Sequence, residues 1–144
     1  MRIYVDQAVH RWRGQLWCHM FSPDLDALHA FAASIGMKRA WFQDPDTTKS
    51  SWPHYDVNAN RRAVAVAAGA VEVGRQQTSA MSKVVINRWR GLEGTPQEID
   101  PLGLHRRINS SHLERVERWL ASELATLDRL RLQHASGIPQ ESMG

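Results

Sequence analysis

Trp52-Pro53-His54-Tyr55-Asp56 sets an imidazole, a phenol and a carboxylate close together, and Arg61 and Arg62 follow shortly after. A histidine and an aspartate two residues apart can hold and pass a proton, while guanidinium groups neutralise an anion in a fork geometry. That combination suggests recognition of a phosphate with a general base beside it. The residues just before, Asp44 to Ser51 with Pro45, are polar and read as a flexible loop. The His54 stretch is therefore expected on a loop, where functional groups are commonly placed.

Further candidates lie at the ends of apolar segments. Asp6 follows the strand-like Arg2-Ile3-Tyr4-Val5, and His19 sits inside the apolar run Leu16 to Phe21. His29 falls at the border of a helical apolar face, where it either reaches the sheet or points into water. In one reading Asp6, His19, His54 and Asp56 converge at the carboxyl edge of a sheet around a phosphate or nucleotide. Arg39 and Arg61 then neutralise it, Trp41, Trp52 or Tyr55 stack on it, and His54 or His19 activates a water. In a second reading His19, His29, His54 and Asp56 hold a divalent metal such as zinc, manganese or iron. No HxH or HxxxH pair accompanies the second reading.

Both readings have a rival of another class. A non-catalytic protein could engage nucleic acid or a partner protein through its C-terminal half, or dimerise through residues 111–135. Residues 75–90 hold Arg75, Lys83, Arg88 and Arg90 and no acid, a strip able to lie along phosphates. A plainer account is also open, in which Asp56 caps a helix, His54 and Tyr55 satisfy one another, and Arg61 pairs with Asp56 or Glu72.

The elements that must position these groups follow from periodicity. Strands are expected at 2–6, 16–21, 40–43 and 70–73. Residues 7–15 read as a loop. Ser22-Pro23-Asp24 opens a helix carrying Leu25, Leu28, Ala32 and Ile35, with Gly36 as its stop. Asn58 or Asn60 caps a second helix over 61–68, which Gly69 ends. Helices alternating with strands in this way predict a small α/β domain over residues 1–77, with a mostly parallel sheet of about four strands. A helical extension over 78–144 follows. It comprises a helix at 79–90, a capped turn at Thr95–Glu98 broken by Pro101 and Gly103, and a long helix from Ser111. That last helix carries Leu113, Val116, Leu120, Leu124, Leu127 and Leu130, and the residues from Ser136 read as frayed.

Composition removes several classes. The 144 residues carry 18 Lys and Arg against 15 Asp and Glu, a net charge of +3, too mild to dictate a nucleic-acid partner. Cys18 is the only cysteine, which excludes an intrachain disulfide and a CxxC zinc site. GxSxG, GxxxxGK[ST] and a GxGxxG after the first strand are all missing. No run is as long and apolar as a membrane span, and the N-terminus lacks a signal peptide's apolar region, so a cytoplasmic location is expected.

The ordered motifs Tyr4-Val5-Asp6, Trp17-x-His19-Met20, Leu28-His29-x-Phe31-Ala32, Ile35-Gly36, Trp41-Phe42-Gln43, His54-Tyr55-Asp56 and Gly69-Ala70-Val71 resemble a small domain-of-unknown-function family of bacteria and phages. The resemblance covers roughly residues 1–77 and brings no established activity. It implies that Asp6, His19, His29, His54, Asp56 and an arginine at 61 or 62 recur together, as a shared site would require. Serine often stands in that family where this chain has Cys18, which speaks against a nucleophilic role for the thiol.

Overall fold

A computed structural model gives the structure of residues 2–92 and 111–135. Tyr4–Val5 forms β1, His10–Trp12 forms β2 and Gln15–Phe21 forms β3. Residues 7–15 are thus more than a loop, because Arg13 and Gly14 turn β2 back onto β3. Both have positive φ, 50° and 72°, as a two-residue hairpin turn of this hand requires. Leu25–Ser34 is α1, Arg39–Trp41 is one turn of 3-10 helix, and Phe42–Gln43 is β4. His54–Asn58 is β5, Ala59–Ala67 is α2, Val71–Glu72 is β6, and Arg75–Trp89 is α3.

The helix ends follow the chemistry of their caps. Asp24, in extended conformation, caps α1 by accepting the Ala27 N–H at 3.1 Å. Ser22, expected in that role, instead donates its hydroxyl to the Arg2 carbonyl and accepts the Asp24 N–H. Asn58 caps α2 through the Arg61 N–H at 2.8 Å. Gly36 and Gly69 leave the two helices with φ of 80° and 110°, conformations that side chains resist.

The sheet departs from the expected parallel plan. Its strands run β4-β5-β3-β1-β6, with β2 added against β3, and the β1–β6 pair alone is parallel. The physical reason lies in what each crossover skips. β3 and β4 point the same way on either side of α1, as do β5 and β6 on either side of α2. Each helix therefore does link two strands of equal direction. Those strands are not neighbours, because β5 fills the slot between β3 and β4, and β3 and β1 fill the slot between β5 and β6.

A core forms between one face of the sheet and two helices, while Tyr4 and Phe21 are buried on the other face. Val5, Cys18, Met20, Phe42, Tyr55 and Val57 point to one side, where Leu28 and Ala32 of α1 and Ala65 of α2 cover them. Trp89 of α3 packs at the margin of this cluster, its ring 6.1 Å from Phe42. α3 begins at Arg75, before the boundary expected at residue 77, and belongs to the same compact unit, Met1–Ile108.

The second unit, Asn109–Gly144, contains α4, Ser111–Ala135, an unbroken helix of 25 residues. The turn expected at Thr95–Glu98, its breakers Pro101 and Gly103, and the frayed end from Ser136 lie outside the described residues. So do the side chains of Ser111, Leu113, Glu114, Leu127 and Leu130. No helix among the described residues is long and apolar enough to cross a membrane.

Candidate functional site

His54-Tyr55-Asp56-Val57-Asn58 alternates polar and apolar residues, and this alternation makes it a strand rather than the loop expected for it. Tyr55 and Val57 enter the core, so His54, Asp56 and Asn58 must occupy the opposite face. β3 is in register with it. His19 faces Asp56 directly and Trp17 faces Asn58. On the other side of β3, β1 continues into Asp6, whose backbone N–H donates to the His19 carbonyl at 3.2 Å. Asp6, His19 and Asp56 thus form one row across three adjacent strands, with His54 two residues along from Asp56.

Each imidazole has one nitrogen committed. The Asp6 carboxylate accepts the His19 backbone N–H at 2.6 Å and lies 2.7 Å from His19 Nδ1. Nδ1 must carry the proton in that bond, which leaves Nε2 as the free nitrogen. In His54, Nδ1 lies 2.9 Å from the Trp52 carbonyl oxygen, an atom that can only accept. Nδ1 is again the N–H, and Nε2 is directed at Asp56 Oδ1, 3.1 Å away. Ser50 supports the arrangement by donating its hydroxyl to the same carbonyl at 2.6 Å. The Trp52 ring packs against both imidazoles and against Phe21.

The electrostatics follow these contacts. Burial lowers the pKa of His19, but the bond to Asp6 and the charges of Asp6 and Asp56 outweigh it, and the net shift is upward. Burial also opposes the Asp56 charge. The hydrogen bond from His54 and the positive potentials of His54, His19 and His10 prevail, so Asp56 sits below the usual carboxylate range. Exposure is graded across the group: side chains are 7% exposed at His54, 24% at His19 and 44% at Asp56. His19, His54 and Asp56 each offer one ligand atom, all within 4.8 Å of one another.

His19 and Asp56 of this group line an open cleft of about 710 Å³ together with Trp12, Trp17, Trp41 and Arg61. β4 pairs with β5 only at residues 54 and 55, so the cleft lies along the stretch of β5 that β4 leaves uncovered. Arg61 donates to the Ile35 carbonyl at 2.8 Å, and its guanidinium lies 5.6 Å from the centre of the Trp41 ring.

Other expected residues lie elsewhere. Because Tyr55 is on the core face, its hydroxyl meets His29 Nδ1 there, at 2.8 Å, with Phe42 edge-on to the same imidazole. Arg39 lies over the Phe42 ring, 4.9 Å from its centre, and stands outside the cleft. The strand phase therefore separates His29, Tyr55 and Arg39 from His19, His54 and Asp56. Asp6 is buried behind His19 and holds its backbone and ring. Asp56 caps no helix, and the arginine that pairs with Glu72 is Arg62, at 2.8 Å. Arg62 also donates to the Asp6 carbonyl at 2.7 Å. Burial, reinforced by the Asp6 charge, pushes the Cys18 thiol up to about 12, far from a nucleophile's range.

Trp12, between Arg11 and Arg13, could be read as a stacking ring or as cover for the domain's edge, but reading 7–15 as a loop concealed the pairing that brings it and His10 to the cleft. The hairpin sets His10 opposite Trp17, its ring 5.2 Å from that of His19. The alternation of His10-Arg11-Trp12 with Trp17-Cys18-His19 about an Arg-Gly turn was the available signal.

The fold and this row define an α/β domain that carries a His/Asp centre, on the sheet face opposite Val5, Met20 and Tyr55, beside an aromatic cleft. The chain belongs to the family described as a protein of unknown function, DUF4031, which matches residues 3–85 and so takes in every residue of the centre and the cleft. No curated protein and no solved structure matches it.

Proposed function

We propose that this domain binds a nucleotide, or another ligand joining a phosphate to a flat ring, in the cleft and hydrolyses its phosphate ester. The observation that carries this reading is the division of a single cleft into two chemistries. Its lining offers His19 and Asp56 on the one hand, and the indoles of Trp12, Trp17 and Trp41 with Arg61 on the other. A ring stacked on Trp41 brings its phosphate within reach of the guanidinium nitrogens that Arg61 does not use on the Ile35 carbonyl. In the reaction, a water oxygen bonds to phosphorus, the ester P–O bond breaks, and the leaving oxygen takes up a proton. The groups placed to engage that water are His19 and Asp56.

A thermal-shift comparison of nucleoside monophosphates with the matching nucleosides tests the reading. A bound nucleotide at about a hundred times its dissociation constant adds about 2.7 kcal/mol to stability. A rise with nucleotides and none with nucleosides is expected. Equal response to both, or none to either, contradicts it.

A further inference from the structure

The exposed Asp56 carboxylate is an unexpected neighbour for a phosphate. Two like charges in contact oppose binding, and Arg61 lines the cleft but already donates to the Ile35 carbonyl. His54 presents a related difficulty. Its Nδ1 proton is given to the Trp52 carbonyl, so in the neutral ring a bare Nε2 lone pair points at a carboxylate oxygen 3.1 Å away. Two acceptors at that distance need a positive centre between them.

We propose that His19 Nε2, His54 Nε2 and Asp56 bind one divalent transition-metal ion of the zinc, manganese or iron class. Both imidazoles are arranged as metal-binding histidines usually are, with Nδ1–H held by a carboxylate or carbonyl and Nε2 left to coordinate. Asp6 does this for His19 and the Trp52 carbonyl for His54. Two imidazoles and one carboxylate make three protein ligands, the number at a catalytic rather than a closed structural site. Bonds of about 2.1 Å place tetrahedral ligand atoms about 3.4 Å apart. The three ligand atoms lie within 4.8 Å of one another, close enough for small side-chain rotations to bring them to that spacing. The graded exposure leaves the ion's remaining positions facing the cleft. There it offsets the Asp56 charge, receives a phosphate oxygen and lowers the pKa of a bound water. That role rests on the phosphate reading of the cleft, whereas the binding of the ion rests on the ligand geometry alone.

The test titrates chelator-treated full-length protein with Mn²⁺ or Zn²⁺ by calorimetry, without nucleotide, and follows Mn²⁺ by electron paramagnetic resonance. One ion per chain is expected, with affinity falling at least about tenfold in Asp56→Asn and in His54→Gln and unchanged in His29→Gln. Asp56→Asn alters an exposed group, and circular dichroism verifies that both site variants fold. No stoichiometric ion in the wild type, or equal affinity in folded Asp56→Asn, overturns the assignment and leaves His54 paired to Asp56 as an imidazolium. A metal that binds as expected while nucleotides do not overturns the phosphate reading instead.

Discussion

Asp6 grips His19 twice, at the backbone N–H and at ring Nδ1, from the neighbouring position of the sheet. The grip fixes both the orientation of the imidazole and the nitrogen it can offer. Asp6→Asn keeps the shape but replaces one carboxylate oxygen with an amide that cannot accept the Nδ1 proton. Loss of such a supporting carboxylate weakens metal binding by about 10–100-fold. Calorimetric titration of Asp6→Asn with Zn²⁺ is expected to show a drop in that range. Unchanged affinity would show that Asp6 serves the fold alone.

His19 and His29 are shifted in opposite directions from the ordinary value of 6.5. His19 is raised, because Asp6 and Asp56 outweigh its burial, and His29 is lowered, chiefly by burial and then by Arg39. The stability tied to His19 is therefore complete below its unfolded pKa and disappears as pH rises through its folded value. His29 behaves in reverse, losing its contribution as pH falls through its folded value. Imidazole C–H resonances of the metal-free protein are expected to titrate above 6.5 for His19 and below it for His29. Because protons and metal compete for His19, metal affinity falls as pH drops through the raised His19 pKa. The opposite order of the two histidines would contradict these contacts.

Cys18, with its thiol pushed up to about 12 and almost no exposed surface, is expected to be silent at neutral pH. A thiol reagent should leave the folded chain unmodified and label one site after denaturation. Rapid labelling of the native protein would place Cys18 outside the core.

Trp41 is 42% exposed, so Trp41→Ala is expected to change stability little. Stacking on an aromatic side chain is worth about 1–3 kcal/mol per base. The variant should lose about 5–150-fold in nucleotide affinity by fluorescence titration. Leu28→Ala, by contrast, empties a fully buried position between α1 and the sheet and should cost about 2–5 kcal/mol in chemical denaturation. A nucleotide affinity that survives Trp41→Ala would remove the ring from the site.

Local features of this fold were legible in the chain and non-local ones were not. Asn58 as a cap, Gly36 and Gly69 as stops, and Leu28 and Ala32 as a buried helix face all depend on residues within a few positions. Strand direction depends on which segments meet, and the hairpin that reverses β2 onto β3 was hidden because Arg13 takes a conformation usually left to asparagine or glycine. His54 to Asn58 was read as a loop because Pro53 and the polar run before it masked the alternation. That alternation also decides membership of the site. His19, His54 and Asp56 share one face of the sheet, whereas Tyr55, one residue over, draws His29 to the other. Residue types alone could not separate His29 from His19.

Calorimetric titration of a nucleoside monophosphate into the protein, metal-free and then loaded with Mn²⁺, tests the cleft and its centre together. Saturable one-to-one binding that strengthens at least about tenfold with the ion, and loses that gain in Asp56→Asn, is the predicted result. Equal affinity with and without the ion, or a gain that Asp56→Asn retains, would contradict a metal centre that receives the phosphate.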